Sequence, residues 1–586
     1  MKQYFSFLVL PLLLLSGCEK SDPYGDPFGQ GNNGSYTDTP VDPVTPDTTI
    51  EDNFILEDEE DAIANTTFDR TISIVFADAG ATVSGDDNGI VTVTGNDVTV
   101  NNTTTEAIRY ELSGSATDGF FKIYGEKKQA IVLNGLNLTN PNGAVINNQN
   151  KKRTFVVVNG TNTLADGKKY TDTPEDEDEK GALFSEAQLI FSGSGSLSVT
   201  STGGKAGISS DDYVRVLDAP TLTVSAAKGH GIRGKDAVVI GGGKLDVTVS
   251  KEGKKAITSD GTVRIDGGEL KLTVSGDVDD SDLTDLSSSS GIKADVAFVM
   301  NGGTLAITNS GQGGKGISGD AGGLIAGGTV DITVTGSNYE ITGADAVGLE
   351  DTSSSAKGIK FDGKLVITGG TVSVSAKNHE AIEAKGELII TGGDVYATSS
   401  DDAINSGSDM ILGGGRVCAI STGNDGIDAN GNCYIQGALV YAVGSGTPEV
   451  AVDANTEEGK KLYVISGTLV ALGGLEGGAS LSQACYAANG NASTWYGLYQ
   501  DGALALAFQT PSRGGNTMVV STGGTTTLKS GVTASGTKIF GGMGATAATG
   551  GSDVTLSAYS GGGGMGPGGM GPGGMGGPGG GPGFGR

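Results

Sequence analysis

Hydrophobic and polar residues alternate along most of the chain in short runs, and paired glycines separate these runs. In residues 365–374, for example, Leu-Val-Ile is followed by Thr-Gly-Gly-Thr and then by the alternating run Val-Ser-Val. Short β-branched runs bounded by glycine are typical of strands, and no helical spacing of apolar residues appears between them. The pattern predicts an all-β protein.

This unit recurs along the chain, usually every 22 to 25 residues. Two or three strands per unit with glycine corners describe one coil of a β-solenoid, whereas propeller blades repeat at about 40 to 50 residues. We therefore expect a right-handed parallel β-helix over 130–474, in which equivalent residues stack about 4.8 Å apart. A Gly/Ala-Ile step (Val in the last unit) marks each coil, at Ile208, Ile232, Ile257, Ile292, Ile317, Ile359, Ile382, Ile404, Ile427 and Val452.

Three insertions interrupt the repeat, in the segments 164–181, 276–290 and 336–355. Each insertion follows the last strand of a unit and precedes the next coil. All three should leave the solenoid at one corner and line one edge of it, where inserted loops often flank a functional face.

The segments on either side of the repeat have a different composition. Those rich in Asp, Pro, Gly and Ser cannot bury enough apolar surface to offset their ordering entropy. Before the repeat, we predict a signal peptide over 1–18, a disordered acidic tether over 19–65 and an N-terminal β-rich cap over 66–129. After it, we predict a small C-terminal β module over 475–560 and a disordered Gly/Met/Pro-rich tail over 561–586.

The start of the chain indicates the compartment. Lys2 precedes an apolar run over 7–15, which is too short to span a bilayer comfortably and ends in Ser16-Gly17-Cys18. This sequence resembles the lipobox of bacterial lipoproteins. The resemblance implies that Cys18 carries the lipid anchor, and that the protein is a membrane-anchored lipoprotein of the cell outer surface.

Composition narrows the range of partners. The chain has 586 residues, 102 of them Gly, and a formal net charge of −30, so we exclude nucleic acid as a partner because phosphates are bound by clusters of Lys and Arg. Beyond Cys18, only Cys418, Cys433 and Cys485 remain, and at most one disulfide can form. We expect a monomer.

Carboxylates gather beside the Ile step in the late coils. Unit charges 4 Å apart repel by about 1 kcal/mol even in bulk water. Calcium takes six to eight oxygen ligands and would relieve that repulsion, so we predict a calcium site here; the alternative is a solvated acidic turn. The predicted ligands are Glu380, Glu383, Asp401, Asp402, Asp425, Asp428 and Asp453.

A second acidic file lies three residues after the isoleucines. Lys255, Lys315 and Lys357 stand two residues before isoleucines of the same repeat and should neutralise this file, which indicates a structural role. Its members are Asp211, Asp260, Asp295, Asp320 and Asp362.

Residues 131–148, 181–201 and 207–216, with the repeated Gly-Ile steps, resemble bacterial carbohydrate-binding β-helix proteins, which are distantly similar to pectate lyases. The resemblance covers about 130–474. It implies an extracellular β-helix that binds polysaccharides, including acidic plant polymers, with calcium.

Tyr396 and Tyr441 alternate with inward Val395 and Val440, so we predict that both tyrosines face solvent or a groove and stack on sugar rings. A chain at −30 repels polyuronates unless divalent cations bridge the carboxylates. Calcium dependence and acidic-glycan binding are therefore linked.

Two other functions stay open. A calcium-dependent lyase needs a base beside the metal, and Arg233, Lys293 and Lys360 follow their isoleucines in coils away from the acid-rich ones. A structural surface protein or adhesin would use the solenoid as a spacer. We interpret His230 and His379 as exposed turn residues.

The segment beyond 474 holds the chain's one tryptophan, Trp495, with Tyr496 and Tyr499 close by. These rings are more often packing residues of a cap than sugar contacts. The module is expected to protect the open end of the solenoid.

Overall fold

The computed structural model describes residues 41–561, apart from 172, 176, 350–351 and 513–516. The chain forms a β-solenoid of about 15 turns, which confirms the predicted fold class. Cys18, the signal peptide, residues 19–40 of the tether and residues 562–586 of the tail lie outside the described residues. Helix is nearly absent from the described part, which holds an α-helix at Asp58–Asp61 and 3-10 turns at Ile63–Asn65, Gly343–Ala346, Thr456–Glu458 and Phe540–Gly542.

Each turn contributes one strand to each of three walls. The first wall is a separate 14-stranded sheet, parallel except for its first hairpin. Its strands are Val91–Thr94, Asp97–Asn102, Phe120–Gly125, Ile146–Asn148, Gly181–Ser185, Ala206–Ser210, Ile232–Gly234, Lys255–Ser259, Ser290–Ala294, Lys315–Gly319, Lys357–Phe361, Ile382–Ala384, Ile404–Ser406 and Ile427–Ala429.

The second and third walls join into one 30-stranded sheet. The second wall contains Thr154–Asn159, Leu189–Ser192, Tyr213–Val216, Ala237–Ile240, Thr262–Ile265, Ala297–Met300, Gly322–Ile325, Leu365–Ile367, Leu388–Ile390 and Met410–Leu412. The third wall contains Thr161–Asp166, Ser196–Ser201, Thr221–Ala226, Lys244–Val249, Glu269–Val274, Thr304–Asn309, Thr329–Val334, Thr371–Ala376, Asp394–Ser399 and Arg416–Ser421.

The remaining strands lie mainly at the two ends. The same sheet includes Arg70–Phe76, Thr82–Ser84, Ile108–Ala116, Gln129–Asn140, Cys433–Val443, Leu462–Leu472, Ser480–Leu481, Cys485–Asn489, Thr517–Ser521 and Ser557–Ala558. A two-stranded sheet is formed by Tyr339–Glu340 and Ser353–Ser354. A closed barrel is formed by Trp495–Gln500, Ala503–Gln509, Thr526–Ile539 and Gly544–Asp553.

The isoleucines that mark the repeat form one buried file along the first wall. Ile382 pairs with Ile404, and Ile404 pairs with Ile427, which also bridges to Val452. The side chains of this file are fully buried in a continuous core. The register predicted from the Gly/Ala-Ile step is therefore confirmed, and the three insertions leave at the corner before the first wall.

The corner between the second and third walls requires glycine at one position. Gly415 has φ +73°, and a Cβ placed there would meet the carbonyl oxygen of Gly393 in the preceding turn at 2.6 Å. Gly413, two residues earlier, has no positive φ, and its added Cβ would have Thr391 Cγ2 as its nearest neighbour at 3.5 Å.

We expect Gly415→Ala to lower the free energy of unfolding by about 1–3 kcal/mol, because a side chain in the left-handed region adds strain to a steric conflict. Thermal unfolding followed by circular dichroism measures the loss. Gly413→Ala is the matched control and should shift stability by less than about 0.5 kcal/mol. Equal effects of the two substitutions would contradict the assignment of strain to Gly415.

The predicted N-terminal cap over 66–129 is instead the start of the solenoid. Arg70–Phe76 pairs in parallel with Ile108–Ala116, and Asp97–Asn102 pairs in parallel with Phe120–Gly125. Antiparallel partners close the open edge, since Thr82–Ser84 covers the first of these strands. The segment is β-rich as predicted, and its place in the parallel ladder was not foreseen because the early turns lack the Gly-Ile marker.

The predicted disordered tether is wrong for residues 41–65, which we call the N-terminal strap. The Val44 backbone N–H donates to Gln436 Oε1 at 2.8 Å, and Gln436 Nε2 donates to the Val44 carbonyl at 2.6 Å. Further along, the Phe54 ring meets the Tyr213 ring edge-on, with 5.4 Å between the centroids. The strap thus runs along the solenoid from its late turns to its early ones.

The strap covers apolar side chains that point outward from the second wall. Phe54 and Ile63 pack on Phe155, Ile190 and neighbouring residues, and Ile50 packs on the cluster of Val366, Ile389 and Ile411. Burying one such side chain stabilises a fold by about 1.5–3 kcal/mol. The strap is ordered by this contact despite its polar composition.

Its anchor is Asp61, a fully buried carboxylate. Arg153 Nε and Arg215 Nη1 each donate to it at 2.8 Å, and the Tyr213 hydroxyl donates at 2.6 Å. A buried charge is tolerated when it is paired and hydrogen-bonded in this way.

The C-terminal module is a four-stranded barrel packed on the third wall. Tyr496, Leu498 and Phe508 of the barrel form one buried cluster with side chains from the last solenoid turns. Before the barrel, Cys485–Asn489 and Thr517–Ser521 pair antiparallel beside the last coil, so the parallel ladder ends there.

Candidate functional site

Two files of charged side chains run along the first wall. One file is formed by the residues directly after the isoleucines, and the other by the residues two positions before the isoleucines. Register pairs Lys360 with Glu383, Glu383 with Asn405 and Asn405 with Asp428. Earlier in the same file, Lys293 pairs with Ser318, and Ser318 pairs with Lys360. The wall is therefore basic over its middle turns and acidic over its last turns.

The Asp file three residues after the isoleucines is neutralised, as the sequence suggested, but by other basic residues. Lys293 contacts both Asp295 and Asp320, and Lys360 Nζ lies 2.6 Å from Asp362 Oδ2. We expected Lys255, Lys315 and Lys357 to neutralise this file. Those side chains lie on the other side of the isoleucine file, where the strand alternation directs them to different neighbours.

Two of the predicted calcium ligands are paired with a lysine. Lys357 Nζ lies 3.2 Å from Glu380 Oε2 and 2.7 Å from Glu383 Oε2, and all three side chains are largely buried. This contact joins the basic and acidic parts of the wall. Of the candidate bases Arg233, Lys293 and Lys360, which we expected to lie away from the acid-rich coils, Lys360 pairs in register with Glu383, because consecutive turns lie side by side.

The other aspartates cap the backbone of the following turn. Asp402 Oδ1 accepts the Asp425 N–H at 3.0 Å, and Asp425 Oδ1 accepts the Val450 N–H at 2.5 Å. Asn405 Nδ2 donates to Asp428 Oδ2 at 2.7 Å. These contacts hold the carboxylates in a row, one turn above another.

Burial and mutual repulsion raise the pKa values in this row. Burial first, and then the charge of Asp428, raises the pKa of Asp402 to about 8. Burial is also the main cause that raises the pKa of Asp425 to about 7 and that of Asp428 to about 6. The pKa of Asp453 is raised too, by burial and by its hydrogen bond to Glu476. The carboxyls of this row thus hold their protons more tightly than exposed aspartates do.

Ligand atoms converge most closely at a different point. Among the described residues, His379, Glu380 and Asp401 place one ligand atom each within 4.8 Å of one another, and the same holds for Asp178, Glu186 and Asp211. Lys180 lies within 2.9 Å of both aspartates of the second group and neutralises it. His379 is not the exposed turn residue that we expected, since its Nδ1 lies 3.1 Å from Asp401 Oδ2.

The row of Asp402, Asp425, Asp428 and Asp453 offers donors of the kind that calcium binds, although among the described residues no three of its carboxylates bring ligand atoms within 4.8 Å of one another. Its donors are carboxylate oxygens, which calcium prefers, and a bound cation would offset the burial and mutual repulsion that raise their pKa values. The group of His379 fits calcium less well, because imidazole nitrogen suits transition metals. The four carboxylates would hold the ion and supply its negative ligands.

The two predicted sugar-binding tyrosines have different environments. Tyr441 is fully buried, its hydroxyl donates to the Gln509 carbonyl at 2.8 Å, and its ring packs near Phe508 and Phe540. The prediction that Tyr441 faces solvent or a groove was wrong because the C-terminal barrel covers that part of the third wall. The alternation along the strand correctly directs Tyr441 outward from the solenoid, but it does not predict that the barrel packs on this residue.

Tyr396 is only half-buried and lines a cleft of about 360 Å³ between the third wall and the barrel. Asp394 and Arg416 form a two-pronged ion pair on the same floor, and Phe540 closes one side. An aromatic ring beside paired polar groups can hold a sugar ring by stacking and hydrogen bonding. The sequence analysis missed Asp394 and Arg416. Each lies two residues before Tyr396 or Cys418 on the same strand, and this shared outward direction was a signal.

The second histidine, His230, is also not exposed. Its Nδ1 accepts the Lys255 backbone N–H at 3.1 Å, and burial, reinforced by nearby lysines, lowers its pKa to about 3.

In the barrel, the Lys538 ammonium stands 4.1 Å from the centre of the Trp495 ring, so this ring is engaged in a cation–π contact.

These features define a β-solenoid protein with a wall that is basic in its middle turns and acidic in its last turns. The chain belongs to the family of carbohydrate-binding domain-containing proteins, which it matches over residues 94–278, 298–403 and 341–552. No curated protein matches it. Among solved structures, a polysaccharide lyase-like protein from C. thermocellum is 21% identical, with 45% of this chain and 97% of that chain covered and a TM-score of 0.36, which is too low to carry an argument.

In the described part of the chain, no helix is long and apolar enough to cross a membrane. The cysteines within it, Cys418, Cys433 and Cys485, are buried and free.

Proposed function

We propose that this protein is a cell-surface lipoprotein that binds polysaccharide, with calcium held at the acidic end of the first wall. The family membership supports carbohydrate as the ligand. The observation that carries the calcium assignment is the row of Asp402, Asp425, Asp428 and Asp453, whose carboxylates stack from turn to turn with raised pKa values. A divalent cation satisfies these oxygens and leaves positions for the carboxylates of an acidic polymer.

The Tyr396 cleft supports a second contact with the glycan. A sugar ring on Tyr396 would present its hydroxyls to Asp394 and Arg416, and such contacts do not need an acidic polymer. We propose that neutral sugars bind here, while the acidic end of the first wall selects uronates through calcium.

Retention on immobilised polysaccharide tests the proposal. We expect retention on a polygalacturonate gel in calcium and release by a chelator, because the cation bridges two sets of carboxylates. Asp425→Asn with Asp428→Asn should weaken retention at least about tenfold, while the exposed Asp246→Asn should behave as the wild type. Retention that survives both the chelator and the double substitution would contradict the calcium bridge, and binding to no glycan would contradict the function.

A calcium-dependent polysaccharide lyase is the second candidate. It is favoured by the contact of Lys357 with Glu380 and Glu383, which places an amine beside the acidic turns. Incubation with polygalacturonate and calcium distinguishes the two functions, because a lyase generates unsaturated products that absorb in the ultraviolet and a binding protein does not.

A further inference from the structure

A pocket of about 360 Å³ lies over the basic part of the first wall, between two of the inserted loops. Its floor is formed by Lys315, Lys357 and Lys360, and Lys385 lines it as well. One loop contributes residues 284–286 and 288, and the other contributes 353–355. Four lysines therefore line one pocket of a chain whose net charge is −30.

Three of these lysines already have carboxylate partners. Lys357 pairs with Glu380 and Glu383, and both Lys360 and Lys385 contact Asp362 at 2.6 and 3.0 Å.

Lys315 differs from them. Its ammonium donates only to neutral oxygens, the Gly313 carbonyl at 3.0 Å, Ser354 Oγ at 3.0 Å and the Ser355 carbonyl at 2.5 Å. The side chain is 8% exposed, and none of the ion pairs in the described part of the chain includes it. Asp285 is the carboxylate in the pocket lining, and it belongs to the inserted loop.

An ammonium group at this depth is costly without a counter-charge. Burial, followed by the charges of Lys357 and Lys360, lowers the pKa of Lys315 to about 7. An anion in the pocket would supply the counter-charge that the three neutral acceptors of this ammonium do not provide. Seryl hydroxyls in the inserted loop add further donors for oxygen atoms.

We infer that this lysine pocket binds an oxyanion group of a polysaccharide, either a uronate carboxylate or a sulfate ester. The inference rests on the proposed function for the nature of the ligand, and it assigns the ligand's negative group to a site distinct from the calcium row. A polymer bound along the first wall would then meet a cationic pocket at its basic part and a metal at its acidic end.

Isothermal titration of the full chain in calcium buffer tests the pocket, with oligogalacturonate, a sulfated oligosaccharide and a neutral cello-oligosaccharide as probes. We expect Lys315→Met to weaken binding of one anionic probe about tenfold or more, since the pocket loses the one positive charge that no carboxylate pairs. Binding of the neutral probe should change less than about twofold. The anionic probe that responds identifies the group, and inorganic sulfate should not compete at the same concentration.

Lys255 provides the matched control. It occupies the same register position two turns earlier and, although only half-buried, it also donates to neutral acceptors, the Gly253 carbonyl and Ser287 Oγ, yet it lies outside the pocket. Lys255→Met should leave all three affinities unchanged. Lys385→Met, at a largely exposed side chain that cannot compromise folding, should weaken the same anionic probe about threefold.

Unchanged anionic binding in Lys315→Met, equal losses in Lys315→Met and Lys255→Met, or a preference for inorganic sulfate would overturn the pocket assignment. If the wild type binds the neutral probe alone, the pocket fails while polysaccharide binding stands. If it binds none of the three probes, both fail.

Discussion

Asp61→Ala is expected to destabilise the protein by about 3–5 kcal/mol, because it removes the one fully buried anion of two buried guanidinium groups and leaves them only the more exposed Glu57, Asp58 and Glu60. Arg153 and Arg215 both donate to this carboxylate, and the Tyr213 hydroxyl loses its acceptor as well. Since the strap is held to the early turns at this point, the loss should appear first as release of residues 54–65. Hydrogen exchange measures the release, and thermal unfolding measures the total effect.

Asp58→Ala is the control for this substitution. Asp58 also pairs with Arg215, but its side chain is 71% exposed, so its removal should cost less than about 1 kcal/mol. If the Asp61 variant keeps wild-type protection in the strap and a wild-type unfolding temperature, then the buried network does not anchor the strap.

The second large effect is a loss of stability with rising pH in the absence of divalent cations. Asp402, Asp425 and Asp428 have folded-state pKa values of about 8, 7 and 6, above the value of about 3.9 for an unfolded aspartate. The folded state therefore binds more protons than the unfolded state in this range, and the stability that these protons provide is lost as pH rises from about 4 to about 8. Each pKa unit corresponds to about 1.4 kcal/mol, so the loss from Asp428 alone, whose pKa is raised by about two units, is about 3 kcal/mol.

Thermal unfolding in chelator at a series of pH values measures this loss. Calcium added at neutral pH should recover it, because a ligand at about 100 times its Kd stabilises the folded state by about 2.7 kcal/mol. Asp425→Asn should flatten the dependence on pH, since the amide oxygen can still accept the Val450 N–H without carrying a charge. A midpoint that rises from pH 5 to pH 8 in chelator would contradict the assignment.

The tertiary structure also explains which features of the candidate site could be predicted from the sequence. The spacing of the Gly/Ala-Ile step predicted that Ile382, Ile404 and Ile427 lie in one row, and from that row it followed that acidic residues of successive turns are neighbours. The contact of Lys357 with Glu380 and Glu383 was not predicted, although Lys357 and Glu380 both lie two residues before an isoleucine of the row.

The strap was missed for a related reason. Ile50, Phe54 and Leu56 are spaced so that alternate residues share one side, but three apolar residues in a polar segment do not predict where they pack. The complementary signal lay in the second wall, where runs such as Leu-Val-Ile and Leu-Ile-Ile are apolar on both faces. A strand that is apolar on both faces is covered on both faces, and the sequence does not name the covering segment.

The sequence by itself determined the repeat, the parallel stacking and the inward file, because a fixed period and glycine corners make each turn depend on its immediate neighbours. Only the tertiary structure decided which surfaces stay open. Contacts between distant segments, Asp61 with Arg153 and the barrel with Tyr441, follow from shape and charge in three dimensions, which periodicity does not encode.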